Sequence, residues 1–145
     1  MFFVEWKYKA VSNSISTHII VSIVDDDESV RDALRGFIQS VGYGAEIFAS
    51  AEDFLGSDIL NKTTCLIVDL HMPVMTGLEL QRRLCNRQCR IPMIFITAHD
   101  DPTARAKALK CGAVDFLRKP FAAEALLNAI QEAVDRRASK PLAGS

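Results

Sequence analysis

The side chains able to do chemistry stand where short apolar runs stop. Ile19-Ile20-Val21-Ser22-Ile23-Val24 ends on Asp25-Asp26-Asp27, Cys65-Leu66-Ile67-Val68 ends on Asp69, Ile94-Phe95-Ile96 ends on Thr97, and Val114-Asp115-Phe116-Leu117 leads to Lys119-Pro120. Such runs, rich in β-branched residues and closed by turn signals, read as buried strands. In open parallel sheets, ligands bind beyond the carboxyl ends of the strands. Carboxylates gathered there about 4 to 5 Å apart repel by several kcal/mol per pair at an effective dielectric near 20, so they favour a bound cation. Ligands that are all oxygen suit Mg²⁺, or Mn²⁺, better than zinc. With a lysine opposite, such a site is near neutral and admits a dianionic phosphoryl group. The chemistry that fits is phosphoryl transfer to a carboxylate: Asp69 as nucleophile, Asp25 and Asp26 as the metal pair, Lys119 on one phosphoryl oxygen and the Thr97 hydroxyl or a nearby backbone N–H on another.

Each residue also has a plainer reading. Asp69 could cap the turn that Pro73 enforces. Asp26 and Asp27 could complement the positive end of the following helix, a role assigned here to Asp27. Thr97 could be an ordinary strand end and Lys119 a solvated lysine, although the proline after Lys119 fixes the chain direction and admits a cis bond. Their joint occurrence at four strand ends favours the chemical reading.

The elements that must position these residues follow from periodicity. After Asp27 the period changes to that of a helix, with Val30, Leu34, Phe37, Ile38 and Val41 on one face, Arg31, Asp32, Arg35 and Gln39 on the other, and Gly42 as the stop. A more polar strand at Ala45–Ala49 precedes a short helix capped by Ser50. The next helix begins after Thr76-Gly77, with Leu80 and Leu84 inward and Arg82, Arg83 and Arg87 outward. Asp101-Pro102 starts a fourth helix and Gly112 ends it, and a fifth turns Ala123, Leu126, Leu127, Ile130 and Val134 inward. Five alternating strand and helix units predict an α/β fold: a doubly wound, five-stranded parallel sheet with helices on both faces.

A length of 145 residues suits one domain, and 49% hydrophobic and 24% charged residues with a net charge of −1 exclude a disordered chain and nucleic-acid binding by bulk charge. No apolar run approaches the ~20 residues that span a bilayer, and the N-terminus lacks the pattern of a secretory signal. A cytoplasmic location is therefore expected, without membrane association. Cys65, Cys85, Cys89 and Cys111 contain no Cys-x-x-Cys pair and are expected to pack rather than bind metal or undergo redox chemistry. Residues 1–17, with Phe2, Val4, Trp6 and Tyr8 alternating against polar neighbours, read as an N-terminal extension. Residues 18–138 form the domain, and 139–145 read as a linker or frayed end.

Val24-Asp25-Asp26 before a helix, Asp69-Leu70-His71-Met72-Pro73 with Gly77 beyond, Ile96-Thr97-Ala98, and Phe116-Leu117-Arg118-Lys119-Pro120-Phe121 together resemble the receiver domain of two-component response regulators. The wording around Asp25 and around Gly112–Phe116 is similar to the FixJ-like group. The resemblance implies the strand order 2-1-3-4-5, Asp69 as phosphoacceptor, Asp25, Asp26 and Asp69 with the His71 backbone carbonyl as Mg²⁺ ligands, and Thr97 and Lys119 as phosphoryl contacts. It further implies Thr97 and Phe116 as a switch pair acting on the surface around the fourth helix, fifth strand and fifth helix. The donor would be a phosphohistidine on a sensor histidine kinase. The domain would not be an enzyme beyond its own phosphorylation and slow dephosphorylation, and it would form a homodimer when phosphorylated. The group usually carries a C-terminal helix-turn-helix DNA-binding output domain, absent from this sequence. The linker-like tail favours a receiver cut at its linker over a stand-alone receiver.

Three other readings compete. Asp25-x-Asp27 resembles the nucleophile motif of haloacid-dehalogenase-type phosphatases, but that leaves Asp69 and Lys119 unexplained. A flavodoxin-like cofactor binder would need a hydroxyl- and glycine-rich phosphate loop where three acids stand. A degenerate receiver serving only as a binding module is disfavoured by the complete acid set. His71 and His99 follow Asp69 and Thr97 by two positions; their rings are expected either to flank the phosphoryl site and affect attacking water, or to be solvated and inert.

Overall fold

In the computed structural model, which describes residues 19–139, each apolar run becomes a strand followed by a helix. The elements are β1 (Ile20–Val24), α1 (Glu28–Ser40), β2 (Gly44–Phe48), α2 (Ala51–Leu55), a 3₁₀ turn (Asp58–Lys62), β3 (Cys65–Asp69), α3 (Gly77–Asn86), β4 (Met93–Thr97), α4 (Pro102–Lys110), β5 (Asp115–Arg118) and α5 (Ala123–Ser139). The N-terminal extension and the end of the proposed linker lie outside the described residues.

All five strands pair in parallel, in the order β2-β1-β3-β4-β5. The expected doubly wound order is therefore the observed one, and all strands end on one rim. Side chains of β3 alternate across the sheet. Leu66 and Val68 join Phe54, Leu80, Leu84, Phe95 and Ala108 on the face covered by α2, α3 and α4. Cys65 and Ile67 join Leu34, Ile38, Ile94, Ile96, Leu126 and Ile130 under α1 and α5. Burial on both faces is why the central strands read as continuous apolar runs. The buried Ser22 within β1 is satisfied across the sheet's end by Thr63, Oγ to Oγ1 at 2.7 Å.

The helices begin where the turn chemistry says they should. Asp27, Ser50, Thr76 and Asp101 each accept a bond from a first-turn N–H with the side chain, at 2.9, 3.1, 3.2 and 3.0 Å. The role given to Asp27 is thus observed.

Several expectations change. Ala123 is exposed, and Ala129 and Ala133 take the inward positions of α5 beside Leu126 and Ile130. Arg31 is half-buried rather than on the solvent face, because its long side chain folds back toward β1. Of the thiols, Cys65 is packed and Cys89 half-buried, but Cys85 and Cys111 are exposed.

Candidate functional site

The loops after β1 and β3 bring three acids to the rim. Carboxylate oxygens of Asp25, Asp26 and Asp69 all lie within 4.8 Å of one another. Asp25 is fully buried, Asp69 is 7% exposed, and Asp26 faces solvent. Asp25 is held on every side. Its N–H donates to the Phe48 carbonyl at 3.1 Å, its Oδ1 accepts from the Asp27 N–H at 2.9 Å, and its Oδ2 accepts from Lys119 Nζ at 3.3 Å. The Arg31 guanidinium adds a 2.7 Å bond to the Asp25 carbonyl. The helical pattern placed Arg31 by angle alone, which gives no sign of where a long head group ends.

Lys119 directly follows β5 at the rim, and a cis peptide bond joins it to Pro120. Its backbone N–H donates to the Thr97 carbonyl at 2.7 Å, tying the end of β5 to that of β4. Thr97 is fully buried, and its Oγ1 accepts from the His99 N–H at 3.2 Å, leaving its own proton to donate. Asp69 and His71 form the equivalent turn one strand away, with the His71 N–H 3.4 Å from Asp69 Oδ1. Phe116 is buried and stacks on Phe95, ring centroids 6.0 Å apart. The His71 and His99 rings, both exposed, meet edge to face at 5.8 Å.

Gly77 lets α3 approach the end of β3. A Cβ there would stand 2.8 Å from the Asp69 carbonyl oxygen and 3.2 Å from Leu70 Cα. The Gly77 N–H also donates to the Leu70 carbonyl at 3.0 Å.

The electrostatics of the site favour a cation. Burial, then the Asp25 charge, raise the Asp69 pKa above its ordinary value, against the opposing pull of Lys119 and the His71 N–H. Two carboxylates at the observed separation repel by about 3 kcal/mol at an effective dielectric near 20. One lysine leaves the three acids with an excess of negative charge. An oxygen-only donor set of this kind fits a hard divalent ion. Asp25, Asp26, Asp69 and Lys119 are thus brought together directly, Thr97 joins them through the Lys119 backbone, and Phe116 lies one layer inward.

A parallel 2-1-3-4-5 sheet carrying an acidic cluster and a lysine on its rim defines a class of signalling domain. The family model for the response regulator receiver domain matches residues 21–131, and the chain belongs to that family. Among relatives, nodulation protein W of Bradyrhizobium diazoefficiens is 39% identical over 132 residues, covering 91% of this chain and 58% of its own length. Response regulator protein TodT of Pseudomonas putida is 44% identical over 115 residues, 79% of this chain and 51% of its own. The transcriptional regulatory protein FixJ of Rhizobium meliloti is 40% identical over 117 residues, 81% of this chain and 57% of its own. The chain therefore spans little more than half the length of these relatives. Among solved structures, FixJ-N superposes with a TM-score of 0.74 at 39% identity, covering 81% of this chain and 94% of that one. The response regulator StyR gives 0.79 at 42% identity, over 83% and 61% respectively. Among the described residues, no helix is long and apolar enough to cross a membrane.

Proposed function

We propose that Asp69 accepts a phosphoryl group from a phosphohistidine of a sensor histidine kinase. The observation carrying this reading is the meeting of Asp25, Asp26 and Asp69 within 4.8 Å, with Lys119 Nζ 3.3 Å from Asp25. An Asp69 carboxylate oxygen attacks phosphorus as the phosphorus–nitrogen bond breaks, and the leaving imidazole keeps the electron pair and takes a proton from water. The Lys119 ammonium and the Thr97 hydroxyl proton stabilise the charge on the phosphoryl oxygens. Asp25, Asp26 and Asp69, with the His71 backbone carbonyl, would hold Mg²⁺, or Mn²⁺ in its place. When bound, the ion neutralises the cluster's excess negative charge and that of the incoming group.

The Thr97 hydroxyl now receives the His99 N–H. Its recruitment by a phosphoryl group on Asp69 would shift β4, and Phe116, stacked over Phe95 on the adjoining strand, is placed to respond. The surface of α4, β5 and α5 then takes one of two arrangements, which we assign to homodimerisation and to control of a DNA-binding output domain. Relatives named as transcriptional regulators support that assignment. On this reading the protein works in the cytoplasm and catalyses only the gain and slow loss of its own phosphoryl group.

Incubation with Mg²⁺ and a small acyl phosphate tests the proposal. The intact mass gains one phosphoryl group, and Asp69→Asn abolishes the gain; modification surviving that substitution contradicts the assignment.

A further inference from the structure

We infer that His71 and His99 form a second cation site, specific for a borderline divalent ion such as Zn²⁺ and separate from the acidic cluster. Strands β3 and β4 are neighbours, and each histidine stands two residues beyond a strand end. The same local device fixes both backbones: the His71 N–H points to Asp69 Oδ1 at 3.4 Å, and the His99 N–H to Thr97 Oγ1 at 3.2 Å. Two imidazoles are thereby fastened to adjacent strands and turned toward each other over the rim.

Their spacing suits a shared ion. With zinc–nitrogen bonds of about 2.0–2.1 Å, each ring centroid lies about 3.2 Å from the metal, so two rings on one ion are separated by about 5.2 Å at tetrahedral positions and about 6.4 Å when opposite. The observed 5.8 Å falls between these limits, and the 64° between ring planes keeps the rings from stacking. Among the described residues, the hydrogen bonds of His71 and His99 are made by their backbone N–H groups, and no nitrogen of either ring is engaged. Both side chains are exposed, so closing the remaining gap disturbs no core. Asp101 shares a small recess with His71, Thr76 and Ala104, adding negative charge on the His71 side of the pair.

Ligand chemistry separates the two sites. Imidazole nitrogens select zinc, copper or nickel, whereas the carboxylates of Asp25, Asp26 and Asp69 select a hard ion. An ion on the histidines joins the loop after Asp69 to the loop after Thr97. It therefore stabilises the folded chain by mass action.

The test is calorimetric titration with Zn²⁺ of unphosphorylated protein, in excess Mg²⁺ and with Cys85→Ser and Cys111→Ser removing the exposed thiols. We expect one ion per chain, affinity reduced at least tenfold by either His71→Ala or His99→Ala, and little change in Asp69→Asn. The ring Hε1 resonances of His71 and His99 should shift together with the first equivalent. Binding that persists in both histidine variants, or disappears with Asp69→Asn, overturns the inference. Because no phosphoryl group is present, neither result bears on the role of Asp69 as acceptor.

Discussion

Lys119 Nζ stands 3.3 Å from Asp25 Oδ2, joining residues 94 positions apart across the rim of the sheet. The lysine side chain is 24% exposed and the aspartate fully buried, so the contact is partly screened on one side only. It compensates one carboxylate of a cluster of three.

The uncompensated charge falls on Asp69. Its folded-state pKa is raised above the ordinary 3.8, first by burial and then by Asp25. The native state therefore binds more protons than the unfolded one between the two values, and ionised Asp69 destabilises the fold at neutral pH. In metal-free buffer, Asp69→Asn should raise the melting temperature at pH 7. That gain should shrink as pH falls through the raised folded-state value and vanish below 3.8, where Asp69 is protonated in both states, and Mg²⁺ should shrink it at pH 7. Thermal melts across pH, with and without Mg²⁺, measure both effects.

Gly77→Ala places a Cβ against backbone atoms that cannot yield, 2.8 Å from the Asp69 carbonyl oxygen. Overpacking of this kind costs about 2 kcal/mol. Denaturant unfolding should show that loss, and phosphorylation should slow because the displaced atoms belong to Asp69 and Leu70.

Val74 has a φ of +69° and is 89% exposed. A β-branched residue in the left-handed region is strained, and this one gains almost nothing from burial in return. Val74→Gly should stabilise the chain by about 1 kcal/mol, since strain relief exceeds the added entropy of the unfolded chain. A lower denaturation midpoint in the variant would contradict this.

The thiols should separate by rate of alkylation. Burial pushes the Cys65 thiol up to about 12 and raises Cys89 less. Iodoacetamide should label exposed Cys85 and Cys111 first, Cys89 more slowly, and Cys65 only on unfolding. Peptide mapping over time reads the order.

The strands and the acids at their ends were legible because the two central faces of a parallel sheet leave unbroken apolar runs, and each run stops at the rim. Helix starts were legible because Asp27, Ser50, Thr76 and Asp101 carry the capping oxygen themselves. What escaped depends on reach and on three-dimensional neighbours. The helical period gives the angle at which Arg31 leaves α1 but not the path of its guanidinium to the Asp25 carbonyl. Ala123 lies on the expected stripe, yet it is the first residue of α5 and is exposed. No residue pattern announces the strained turn at Val74, and the matching positions of His71 and His99 after Asp69 and Thr97 put both at one rim without announcing that their rings would touch.

On the proposed reading, Asp69 itself carries the phosphoryl group. Borohydride reduces an acyl phosphate on aspartate to homoserine, which marks the residue permanently. After treatment with acyl phosphate and Mg²⁺, reduction and digestion, homoserine is expected at position 69 and none at 25 or 26. Homoserine at Asp25, as a dehalogenase-type nucleophile would give, or an unmodified Asp69 in phosphorylated protein, would contradict it.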